Sequence, residues 1–230
     1  MSENPYGDIP KFHVAVDCLI FSVISGRLQL LLVRRDFEPE KGKPSLIGGF
    51  VKENESVDSA AKRVLCELTG IHNAYIRQIG AFGEVNRDPG ARVISVAYYA
   101  LVNISDIYTT LSPLKGEWVD VRHLPELGFD HREMVERALS DLRKKILDEG
   151  LAFSLLPELF TLTQLQHLVE SVMDHPLDKR NFRKRVTEIP GIMPTDLIDK
   201  MNSKRGARLF RYCREHEEQV ESGCHPNNYN

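Results

Sequence analysis

Two stretches of the chain set residue types at spacings that could do chemistry. In the first, Gly49 is followed after five residues by Glu55, after seven more by Arg63, and then by Glu67 and Gly70-Ile71. A divalent cation such as Mg²⁺ takes several hard oxygen ligands, and a helix can offer carboxylates from positions i, i+3 and i+4 of one face. The second stretch reads Lys179-Arg180-Asn181-Phe182-Arg183-Lys184-Arg185-Val186. On a helix, Phe182 and Val186 face inward together and leave the cations and Asn181 outward. Exposed Lys and Arg neutralise phosphates, and Arg or Asn can pair with base edges in a major groove. A solvated basic face has the same composition, so the elements around each stretch must decide.

Before the first stretch, Val14–Ile24 and Leu28–Arg34 are β-branched or apolar runs separated by Ser25-Gly26, a hairpin signal. A loop over Pro39–Pro44 leads to Gly48-Gly49. A helix is predicted over Ser56–Leu68, with Val57, Ala60, Ala61, Val64, Leu65 and Leu68 at helical spacing and Gly70 as its stop. Strands follow around Ile76–Phe82, Val93–Val102 and Glu117–Val121, then an amphipathic helix over Arg132–Leu147 that stops at Gly150. Leu151–Phe160, with Pro157 inside it, reads as a connector.

The second stretch sits in its own setting. Thr163-x-x-Gln166 matches a capping box for a helix over Thr161–Met173, and the turn Asp174–Leu177 breaks that helix. Asp178 is then placed to cap the basic helix Lys179–Thr187. Ser203-Lys204-Arg205-Gly206 reads as a hairpin tip before the strand-like Ala207–Cys213. Helix, turn, basic helix and basic hairpin in that order form a winged helix-turn-helix layout.

Charge follows this division. Residues 1–150 carry a net −3, residues 151–214 a net +4, and residues 215–230 a net −4. We therefore expect an effector-binding domain over 1–150, a DNA-binding domain over 151–214 and an acidic, flexible tail over 215–230. At 42% hydrophobic residues and a net charge of −3, the composition excludes a disordered chain. Its apolar runs are too short to span a membrane. The opening residues carry no secretory signal, and the four cysteines lack CxxC spacing, so a cytoplasmic protein with reduced thiols is expected.

With these residues in view, the frame from Gly48-Gly49-Phe50-Val51 through Ala60-Ala61 to Leu68-Thr69-Gly70 resembles the Nudix box. In that family the box is a loop–helix–loop that places glutamates on a divalent metal beside a pyrophosphate. The family pattern sets Glu directly after the Arg and then a Glu pair; this chain has Val64, Glu67 and Leu68 there. One carboxylate cannot hold a metal–diphosphate cluster in the usual geometry. The resemblance thus implies a retained α/β/α sandwich with a mixed sheet and a lost hydrolase activity. Displaced carboxylates at Glu53, Glu55, Glu84 or Asp88 are the route by which activity could persist.

A Nudix frame with a winged helix resembles the Nudix-related transcriptional regulators (NrtR-like). Gly128-Phe129-Asp130-His131 and Leu177–Arg183 also match that family. It implies a homodimer that binds a palindromic operator in double-stranded DNA and releases it on binding a small effector. One branch of the family is ADP-ribose-responsive and governs NAD metabolism; another (AraR) responds to L-arabinose. Phe12–Cys18, Asn86–Val93, Phe160-Thr161-Leu162 and Ser203–Ala207 are most similar to the arabinose branch. A neutral sugar also suits a site without metal ligands, so L-arabinose is the favoured expectation, with an ADP-ribose sensor or an active hydrolase of ADP-ribose or a sugar nucleotide as alternatives. Lys43, Glu84, Asp88 and Arg92 are the expected polar contacts and Phe12, Trp118 and Phe129 the walls. Trp118 could equally be core, and Asp130 could simply cap the following helix. The expected DNA contacts are Lys179, Arg180, Asn181, Arg183, Lys184, Lys204 and Arg205. No cofactor, metal or membrane is expected.

Overall fold

The structure is a computed structural model that describes residues 9–72, 74–104, 116–200 and 206–213. It divides into two compact units, Met1–Leu155 and Leu156–Asn230. Among the described residues no helix is long and apolar enough to cross a membrane.

The first unit is built on a seven-stranded mixed sheet. Strands β1 (His13–Ile24) and β2 (Arg27–Arg34) form the expected hairpin, with Ser25 at φ 50° and Gly26 at φ 73°. Two positive φ values in a two-residue loop match the right-handed twist of the flanking strands. Strands β3 (Pro44–Ser45), β4 (Ile47–Phe50), β5 (Tyr75–Phe82), β6 (Val93–Leu101) and β7 (Gly116–Asp120) complete the sheet. Its main path runs β3-β2-β1-β6-β5, with β4 paired to β1 and β7 to β2. β1 lies parallel to β6 along most of its length and pairs antiparallel with β4 near its start and β2 near its end. It is the central strand, and Val16–Phe21 is buried on both faces, the charged Asp17 included.

Helix α1 (Val57–Thr69) covers one face of the sheet. Ser56 caps its start by accepting from the Ser59 N–H at 3.1 Å, and Gly70 ends it at φ 73°. Ala60, Ala61, Val64 and Leu65 pack there against Val16, Ile20, Leu31, Ile47 and Tyr98. Burying each such Val or Leu contributes roughly 1.5–3 kcal/mol. Helix α2 (His131–Lys145) lies against β5 and β6, burying Met134, Val135, Ala138, Leu139 and Leu142. Two stretches depart from expectation. Leu151–Leu155 is not connector but a 3-10 turn of this first unit, because Leu151, Ala152 and Leu155 are apolar at one-turn spacing and are buried. Asp130 precedes α2 but makes no side-chain cap bond.

In the second unit, helix α3 (Leu162–Met173) buries Leu165, Leu168, Val169 and Val172. Its capping box is Thr161 with Gln164, two residues ahead of the predicted Thr163–Gln166 pair, since Thr161 is the extended residue from which the helix departs. Helix α4 (Lys179–Thr187) is capped by Asp178, whose carboxylate accepts from the Asn181 N–H at 2.8 Å. Strands β8 (Ile192–Asp199) and β9 (Ala207–Tyr212) form an antiparallel hairpin. Phe160 bridges to Phe210 beside it through paired backbone bonds of 3.0 and 2.8 Å. The hairpin tip with Lys204 and Arg205, and the acidic tail, lie outside the described residues.

Candidate functional site

The Nudix-like helix can be tested as a metal site from its donors. Arg63 donates from Nε and a terminal nitrogen to the two oxygens of Glu55 at 2.8 and 2.6 Å, and from its other terminal nitrogen to Glu67 at 3.1 Å. It also donates to the Phe50 carbonyl at 3.0 Å, which ties the helix to β4. The Arg63 bond, with the Lys52 N–H behind it, holds the Glu55 carboxyl down at about 2. Val64 is 2% exposed, and a Cβ placed on Gly49 would stand 2.8 Å from its Cγ2. The strand thus presses onto an aliphatic side chain where the family sets a carboxylate. Among the described residues no three His, Cys, Asp or Glu side chains are grouped so that they could hold a metal ion. The donor set does not fit a divalent metal.

The predicted effector residues fall into two neighbouring groups and one outlier. Arg92 lies over the Phe12 ring at 5.3 Å and donates to the Glu84 carbonyl at 3.2 Å, so Phe12, Glu84 and Arg92 come together at the start of β1. Glu84 contributes its backbone there; its side chain is exposed. The Asp88 carboxylate accepts from the Gly90 N–H at 2.7 Å and shapes the same loop. A Cβ on Gly90 would meet Pro39 at 3.5 Å, which brings in the loop after β2. That loop holds Lys43, whose ammonium faces Glu40 at 2.6 Å and Glu126 at 3.4 Å. The Glu40 contact, with Glu126 behind it, raises the Lys43 pKa. Phe129 stands beside it at φ 53°, a left-handed conformation strained for a bulky residue. Trp118 is the outlier. It packs into the apolar cluster under α1, and its buried Nε1 has no hydrogen-bond partner among the described residues.

Sequence reasoning missed what joins these loops. Arg87, with 3% of its side chain exposed, donates to both Asp130 oxygens at 2.8 and 2.6 Å and faces Asp17 at 3.5 Å. This explains why Asp130 is not a cap: its carboxylate is already committed. Asp17 in turn accepts from the Ser95 hydroxyl at 2.5 Å and faces His131 Nε2 at 3.6 Å. His131 Nδ1 accepts from the Leu46 N–H at 3.2 Å, which places a neutral ring's proton on Nε2. Burial pushes the Asp17 carboxyl up, but His131, the Ser95 hydroxyl and Arg87 outweigh it and hold it below the usual carboxylate range. Arg35 was missed as well. Its guanidinium lies over Phe37 at 4.3 Å and Phe129 at 4.8 Å and donates to the Pro39 carbonyl at 2.8 Å.

In the second unit, α4 buries Phe182 and Val186 and exposes Lys179, Arg180, Asn181, Arg183 and Lys184, as the spacing predicts. Arg208 and Arg211 of β9 are exposed too, a contribution the sequence analysis did not single out. The turn between α3 and α4 is closed by side chains. Glu170 accepts from the Leu177 N–H at 2.9 Å and from Gln166 Nε2 at 3.0 Å, and Gln166 donates to the Leu177 carbonyl at 3.1 Å.

Comparison with known proteins gives two domain matches. Residues 11–138 match the NUDIX domain and residues 152–212 the NrtR DNA-binding winged helix domain. The chain is 36% identical to the ADPR responsive transcriptional repressor NtrR of Acinetobacter baylyi, over 92% of this chain and 86% of the relative. The crystal structure of Shewanella oneidensis NrtR complexed with a 27mer DNA superposes with a TM-score of 0.77 at 30% identity, covering 87% of this chain and 93% of that one. The NUDIX domain of the same protein complexed with ADP ribose superposes with a TM-score of 0.51 at 28% identity, over 62% of this chain and 99% of that one. None of these relatives supports the arabinose branch, and that expectation gives way to the ADP-ribose alternative.

Proposed function

Because this chain belongs to the Nudix family and carries the winged helix domain of its NrtR-type DNA-binding regulators, we propose that it is an ADP-ribose-responsive transcriptional repressor. In this reading it binds a palindromic operator as a homodimer, with α4 and the β8–β9 hairpin on the DNA, and ADP-ribose bound in the first unit releases it. The observation that carries the reading is the similarity across 92% of the chain to an ADP-ribose-responsive repressor. The exposed cations of α4 supply the phosphate contacts, and bidentate Arg or Asn contacts supply sequence preference. Release follows only if ADP-ribose binds the DNA-free form more tightly than the DNA-bound form. Val64 and Leu68, with Glu55 and Glu67 held by Arg63, support binding without hydrolysis.

The test begins by selecting DNA from a random duplex library with the purified full chain. ADP-ribose and L-arabinose are then titrated separately into the labelled complex. ADP-ribose is expected to dissociate the complex and L-arabinose to leave it intact, with no AMP released when Mg²⁺ or Mn²⁺ is added. A complex that stays bound at saturating ADP-ribose overturns the reading, and release by L-arabinose alone restores the sugar-sensing branch.

A further inference from the structure

A dianionic diphosphate needs compensating positive charge. A Nudix enzyme provides it through a metal, and among the described residues there is no donor set for one. The charge must come from cations that are not already neutralised. Around the loops that gather the predicted effector residues, most cations are spoken for: Lys43 by Glu40 and Glu126, Arg63 by Glu55 and Glu67, Arg87 by Asp130 and Asp17. Arg35 and Arg92 differ. Among the described residues their side chains donate only to the backbone carbonyls of Pro39 and Glu84, and the guanidinium of Arg35 lies over Phe37 and Phe129 and that of Arg92 over Phe12. Arg34 also meets only a carbonyl, that of Gly42 at 3.4 Å, but no ring lies beneath it.

The two cations are linked through Pro39. Its carbonyl takes the Arg35 bond, and its ring touches the Gly90 position two residues before Arg92. Arg92 is anchored by its own carbonyl, which accepts from the His13 N–H at 3.1 Å. Phe37 is 60% exposed although one side of its ring carries the Arg35 guanidinium. An exposed aromatic ring joined to a planar cation is a surface on which a flat π-system stacks. Phe129, the second ring against Arg35, is kept in its strained backbone conformation by neighbours that are themselves tied down: Asp130 by Arg87, and the Gly128 N–H by the Pro44 carbonyl at 2.9 Å.

From this arrangement we propose that Arg35, Phe37 and Arg92 form a metal-independent recognition site for a nucleoside diphosphate, Phe37 stacking the base and Arg35 with Arg92 neutralising the diphosphate. The proposal rests on the ADP-ribose reading above and assigns residues to it.

The test is isothermal titration of the full chain with ADP-ribose, AMP and ribose 5-phosphate, each with EDTA and again with Mg²⁺. The wild type should bind ADP-ribose equally well under both conditions. Arg35→Gln and Arg92→Gln should each weaken ADP-ribose by about tenfold. Phe37→Ala should weaken ADP-ribose and AMP by about tenfold and leave ribose 5-phosphate within twofold. Operator binding without ligand reports that each variant is folded, and Arg35→Lys, which keeps a cation, replaces the Gln variant if that one fails to fold. ADP-ribose binding that persists within twofold in all three variants overturns the assignment and leaves the ADP-ribose reading standing. A strict requirement for Mg²⁺ overturns the metal-independent mode. A wild type that binds no ADP-ribose removes both.

Discussion

Arg87 shows most directly how single residues hold the first unit together. It brings a buried charge, two fixed hydrogen bonds to Asp130 and a contact with Asp17 into one place. Removing one partner of such a pair strands the others in a low-dielectric site, so Arg87→Leu should lower stability by about 3–5 kcal/mol in urea unfolding. Asp17 gives a pH prediction with a definite sign. Its pKa is depressed in the folded state, so its stabilisation is present above the unfolded value of about 3.9 and is lost as pH falls through the lower folded value. Acid titration of the wild type should therefore show a loss of stability below about pH 4 that is shallower in Asp17→Asn. None of this network was legible in the sequence. Arg87 and Asp130 are 43 residues apart, and Asp17 and Ser95 are 78 apart, so no local spacing links them. The Nudix frame was legible because its residues lie within one loop and one helix.

Among elements, the α3–α4 turn determines where the cationic face of α4 points. Both backbone groups of Leu177 are held by Gln166 and Glu170, and Asp178 caps the helix that follows. Asp178→Ala should cost about 1 kcal/mol of stability in the second unit, read by thermal unfolding. The Leu177 N–H bond, joined by Gln166 and the neighbouring His167 and His175, holds the Glu170 pKa below its ordinary range. Glu170→Ala should weaken operator binding, while Glu170→Gln, which keeps an acceptor, should restore most of it. On the proposed reading, Arg180→Ala and Arg183→Ala act differently, by removing DNA contacts. Each should lower the log–log salt slope of operator binding by about one where a phosphate contact is lost, with ADP-ribose affinity unchanged. Periodicity revealed α3 and α4 but set the capping box two residues late, because Thr161-x-x-Gln164 and Thr163-x-x-Gln166 overlap. It missed β8, whose alternation is broken by Pro194 and by a register shift between Pro194 and Ile198.

For the whole molecule, each unit has its own buried core. Calorimetry of the full chain should resolve two unfolding transitions. ADP-ribose at about one hundred times its dissociation constant should stabilise the first unit by about 2.7 kcal/mol and raise its transition by several degrees, leaving the other in place. A shift of both by the same amount would mean that the two units unfold as one. The order of a Nudix fold followed by a winged helix was visible in the motif order. The effector was not. Stretches similar to the arabinose branch pointed to a sugar, whereas similarity over nearly the full chain favours ADP-ribose.

The contact between Gly49 and Val64 also bears on how such a chain can change over generations. Val64→Glu, made alone, would put an anion into the apolar cluster of Val16, Ile47 and Ala60, and Glu55 and Glu67 would still be claimed by Arg63. The exchange that restores the family's carboxylate at this position therefore carries a packing cost that a second change in the cluster, as at Val16, would have to relieve.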